Sequence, residues 1–117
     1  MTLTEARSIL HTLRPAIEDF VAVRADLAEL EADLATRGTS PLGALADAKA
    51  LQARLHSELE RFGASGAEIK GYAPLLFDFP GDLDGMPVLW CWLEGDADID
   101  WYHRVDAGFA GRRLVRP

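Results

Sequence analysis

Phe62-Gly63-Ala64-Ser65-Gly66 is where this chain changes pattern, and the residues on either side of it decide the fold. Before it, apolar side chains recur at helical spacing; after it they fall in short runs broken by Gly, Pro and Asp. Reading backwards, Leu45, Ala48, Leu51, Leu55, Leu59 and Phe62 make one stripe. Ser40-Pro41 stands ahead of it, with a serine able to cap orphan N–H groups and a proline tolerated in a first turn, so a helix is predicted from Ser40 to about Phe62. Further back, Ala6, Ile9, Leu13, Ala16, Phe20, Val23, Leu27, Leu30 and Leu34 alternate by three and four along one seam, which predicts a helix over about residues 4–37. Thr2 with Glu5 offers a capping box, and Gly38 a stop. Pro15 removes one backbone donor inside this span and predicts a kink or break near Thr12 to Pro15. The short connection makes the two helices antiparallel neighbours. Helix 1 is the longer, so its N-terminal part, with Ile9, Leu10 and Leu13, overhangs and is expected to receive the rest of the chain.

Reading forwards, strands are predicted at Leu75 to Phe79, Pro87 to Leu93 and Asp98 to His103, joined by turns at Gly81-Asp82-Leu83-Asp84-Gly85 and Glu94-Gly95-Asp96. The middle strand is apolar on both faces and should be covered on both; the third alternates Asp98, Asp100 and Tyr102 with Ile99, Trp101 and His103 and reads as half solvated. The expected fold is α+β: a long antiparallel α-helical hairpin (4–62) followed by a small three-stranded antiparallel β meander and a C-terminal Gly-rich loop (67–117). With 117 residues and 12.8 kDa, this is expected to be a single domain.

The composition narrows the partners. Hydrophobic residues make up 49% and charged residues 26%, proportions that bury a core. A net charge of −7 repels phosphate backbones and anionic lipid, so neither nucleic acid nor a membrane surface is an expected partner. The opening Met1-Thr2-Leu3-Thr4-Glu5 lacks the basic and apolar regions of a signal peptide, and a lone cysteine forms no internal disulfide; both favour the cytoplasm.

Few residues suggest chemistry. Asp96, Asp98 and Asp100 resemble the start of a calcium loop, but Trp101 and Ala107 stand where that loop requires Gly and Glu, so the carboxylates read as the wet face of an edge strand. His11, His56 and His103 show no pair at ligand spacing and read as solvated, and no metal or cofactor is expected. Cys91, between Trp90 and Trp92 with no adjacent cation, reads as a buried, unreactive structural thiol. His103, Asp106, Arg112 and Arg113 around Gly108-Phe109-Ala110-Gly111 form the remaining cluster. A carboxylate-held histidine can move protons, and a guanidinium on a glycine loop can hold an anion. The alternative is a braced turn that the glycines allow.

Asp78-Phe79-Pro80, then Cys91-Trp92, Tyr102-His103 and Gly108-Phe109-Ala110-Gly111-Arg112, in that order, resemble the uncharacterised DUF2203 family over about Leu76 to Arg113. Leu93 departs from the basic residue that commonly follows C-W in the family, and Trp101-Tyr102 has its aromatics in swapped order. The resemblance implies a helical hairpin with a small β unit and brings no established activity. The candidate binding residues are then Asp78, His103, Asp106, Gly108, Gly111 and Arg112; no catalytic residue is assigned. Two functions are expected to compete. The first is a non-catalytic oligomeric interaction or scaffold module, a homodimer because Leu10 and Ile17 widen the helix 1 seam. The alternative is a small-anion-binding protein or enzyme built on His103, Asp106 and Arg112.

Overall fold

The structure, a computed structural model, describes residues 1–116. It is α+β, two packed helices followed by a five-stranded antiparallel sheet. The chain divides into two compact units, residues 13–61 and residues 1–12 with the segment from Phe62 onward.

α1 spans Leu3–Arg37 and α2 Leu45–Ala64. At its start α1 carries the expected capping box: Glu5 N–H donates to Thr2 Oγ1 (3.1 Å) and Thr2 N–H to Glu5 Oε1 (3.2 Å), satisfying two orphan donors reciprocally. It runs on unbroken through Pro15. Within the first unit α2 returns along α1, placing Arg54 on Asp19 (2.7 and 2.9 Å) and Gln52 on Glu31 (3.4 Å). Leu27, Leu30 and Ala48 form its core, with Leu34, Leu51 and Leu55 packed against them.

Helix 2 begins later than Ser40. Ser40 Oγ instead accepts the Leu42 N–H (3.1 Å) and donates to Asp33 (2.7 Å), so its capping chemistry closes a turn. The helix starts at Leu45, where Asp47 reaches back to accept the Ala44 N–H (2.8 Å). Leu45, placed in the helix 2 stripe by its spacing, is 63% exposed. Leu10 and Ile17, expected to need a second chain for cover, are buried within one.

In the second unit the sheet comprises β1 (Glu68–Tyr72), β2 (Leu75–Leu83), β3 (Met86–Leu93), β4 (Trp101–Arg104) and β5 (Arg113–Leu114), each paired with its sequence neighbour. It thus extends past the three expected strands by β1 and β5 at its two edges. Asp84 (φ 52°) and Gly85 (φ 84°) form the two-residue turn between β2 and β3, whose positive dihedrals match the twist of a hairpin. Phe77 faces Trp92 and Phe79 faces Trp90 across this pair. Alternation puts all four rings on one face, where Phe62 meets Phe77 at 5.2 Å between centroids and Phe77 meets Trp92 at the same distance. β3 is buried on both faces from Val88 to Trp92, as its pattern predicts.

The third strand starts at Trp101, so Asp98 and Asp100 lie before it and are not the wet face of an edge. They hold the beginning of α1. Arg7 donates to Ile99 O (3.0 Å) and Asp100 Oδ1 (3.2 Å), and His11 lies 3.4 Å from Asp98. Burial alone would raise the Asp98 pKa, but the Ile99 N–H, His11 and Arg7 together outweigh it and hold it below the ordinary carboxylate value. A carboxylate depressed in the folded state contributes stability at neutral pH that is lost as acid protonates it. Asp98→Asn is therefore expected to melt below wild type at pH 7, with the gap closing as pH falls from about 5 towards 3. Melting curves across that range check this; a gap that stays constant would refute it.

Candidate functional site

The face of the sheet opposite the aromatic rings carries a polar cluster, assembled by register alone. β2 and β3 pair so that Asp78 lies opposite Cys91, and β3 and β4 so that Leu89 lies opposite His103 and Cys91 opposite Trp101. Strand alternation then projects Asp78, Cys91, Trp101 and His103 to the same side. His103 Nε2 sits 3.1 Å from Asp78 Oδ2, with both side chains at most 5% exposed. The other ring nitrogen, Nδ1, is 2.8 Å from the carbonyl of Arg104. A carbonyl oxygen only accepts, so Nδ1–H donates to it and Nε2 is the nitrogen that faces the carboxylate. The second carboxylate oxygen of Asp78, Oδ1, is buried without a hydrogen bond.

Cys91 is fully buried beside them. Burial, followed by the Asp78 carboxylate, pushes its thiol up to about 12, against the opposing pull of the Arg112 guanidinium. Such a thiol is nucleophilic only when the chain opens. Native protein at pH 8 is expected to resist a soluble maleimide on the timescale on which denatured protein is labelled at once. Rapid labelling under native conditions would contradict this.

Arg112 closes the cluster. Its guanidinium lies between two rings, 4.4 Å from the centroid of Trp101 and 4.5 Å from that of Phe109. Nη1 is buried without a hydrogen bond, its carboxylate neighbour Asp96 lying 3.8 Å away. The glycines shape the segment that delivers it: Gly108 takes φ 65° ahead of the single 3-10 turn Phe109–Gly111, and a Cβ on Gly111 would stand 2.7 Å from that of Ala107.

Of the six residues singled out in the sequence, Asp78, His103 and Arg112 come to one place, while Gly108 and Gly111 form the turn. Asp106 does not join them. It is exposed and takes both ends of the Arg104 guanidinium (3.0 and 2.7 Å), so the carboxylate that holds His103 is Asp78. His103 is buried and not solvated. Cys91, read as structural, belongs to the cluster. His11 and His56 are exposed, as expected.

The chemistry this arrangement permits is set by which nitrogen faces what. A cysteine–histidine–aspartate relay needs thiol and carboxylate on opposite ring nitrogens, so that one orients the ring while the other is deprotonated. Here Nδ1 is bound by a backbone carbonyl, which leaves Nε2 alone to meet the other side chains.

The family described as an uncharacterized conserved protein, DUF2203, matches residues 1–115. No curated protein and no solved structure matches this chain. No helix among the described residues is long and apolar enough to cross a membrane.

Proposed function

We propose for this chain, which belongs to the uncharacterised DUF2203 family, the role of a non-catalytic interaction module that binds through its helical hairpin. The observation that carries this is the state of the cluster: both His103 nitrogens are engaged, the thiol is held near 12, and Asp78 and His103 are almost wholly buried. These groups brace three strands and present nothing to a substrate. The anion-binding or enzymatic alternative at His103, Asp106 and Arg112 is weakened by the distance of Asp106, which is spent on Arg104.

The hairpin offers the better surface. Leu51, Leu55 and Leu59 of α2 stay half-buried and Leu45 stands in solvent, an apolar stripe with one side uncovered. A second copy of the chain covers it most simply, because a two-fold axis sets the same stripe against itself and yields a four-helix arrangement. Light scattering tests the reading: the mass should be twice 12.8 kDa at micromolar concentration and fall to the single value in Leu55→Glu. A mass of 12.8 kDa at every micromolar concentration would remove the second copy as partner.

A further inference from the structure

We infer that Asp78, Cys91 and His103 form a buried three-donor site for one divalent transition metal ion of the zinc type. The cluster supplies one oxygen, one sulfur and one nitrogen donor, all within 4.8 Å of one another. Zinc bound at its usual distances holds neighbouring donors roughly 3.3–3.8 Å apart, so these atoms need draw in by only about 1 Å. A sulfur donor beside an imidazole selects zinc and its neighbours over calcium or magnesium, which take oxygen alone.

Three further features fit an ion. His103 is held as metal-binding histidines are held: Nδ1–H donates to the Arg104 carbonyl, which fixes the ring with Nε2 aimed at the other two donors. Asp78 Oδ1, on a side chain 5% exposed, is buried with no partner, and a cation at the cluster gives that oxygen what the protein does not. The charges close as well. Thiolate and carboxylate neutralise a dication, while Arg112, already facing Asp96, stands where it can donate to the thiolate. Binding displaces the proton of the Cys91 thiol.

The test uses the full chain, stripped with a chelator and then titrated with Zn2+ or Co2+. One ion per chain is expected, with a rise in Tm on zinc addition and a thiolate-to-cobalt charge-transfer band in the Co2+ complex. Both signals should be lost in Cys91→Ser. The cobalt band of the wild-type protein decides the matter even if that variant folds poorly, since only sulfur coordination produces it. Absence of the band, or a zinc-induced Tm rise that persists in Cys91→Ser, would overturn the site and assign the binding to exposed side chains. The oligomer experiment above is independent of this outcome.

Discussion

His103→Ala is expected to cost about 3–5 kcal/mol, because it leaves the Asp78 carboxylate buried without its hydrogen-bond partner, His103 Nε2 at 3.1 Å. In a chain of this size that is a fall in Tm of roughly 15 °C, measured with chelator present so that only the protein's own pair is probed. The double variant Asp78→Asn/His103→Ala should recover part of the loss, since most of the penalty is the stranded charge and not the missing contact. A double variant as unstable as the sum of its singles would show that the two residues act separately.

Gly81→Ala is expected to be the second most damaging change, although the site looks innocuous. Gly81 sits in β2 opposite Val88, where a Cβ would stand 2.2 Å from Trp90 Nε1 and 2.6 Å from the Met1 carbonyl. Those two atoms are themselves bonded, Trp90 Nε1 donating to Met1 O at 3.0 Å, so neither can retreat without breaking that bond. Overpacking of this kind costs about 2–3 kcal/mol, or roughly 10 °C in Tm. Denaturant unfolding of Gly81→Ala beside Gly85→Ala separates close approach from turn strain. Gly85 has open space around it but φ 84°, so its penalty would come from the backbone alone.

Both helices were readable because a burial stripe and a cap repeat over many residues. The start of α2 was not, because Ser40-Pro41 has the chemistry of a helix cap while Asp47, three residues after Ala44, supplies the cap that is used. β1 escaped because its five residues offer one aliphatic side chain, Ile69, and a register shift before Gly71; β5 has two residues, too few for any periodicity. The cluster was half visible. His103 and Arg112 stood out as chemistry-bearing and Asp78 entered only through the Asp78-Phe79-Pro80 motif of the resemblance; Asp106 was the nearer carboxylate in sequence, and register put Asp78 in its place. The missing signal lay in Asp84-Gly85: read as a two-residue hairpin turn, it puts the residue six before Asp84 opposite the residue six after Gly85, which joins Asp78 to Cys91. A five-residue turn from Gly81 to Gly85 conceals that pairing.

The strand order has a consequence for the route by which the second unit forms. Every ladder joins sequence neighbours, so the sheet can grow outward from the Asp84-Gly85 turn by closing short loops, each at small entropic cost. The beginning of the chain follows a different rule. Met1 bonds across 79 and 89 residues to Pro80 and Trp90, and Arg7 across 92 and 93 to Ile99 and Asp100, long loops beside the short ones of the ladders. Made earlier on the ribosome than these partners, residues 1–12 must wait until synthesis has passed Asp100 before the last of them exists, and they join the unit after the hairpin has formed.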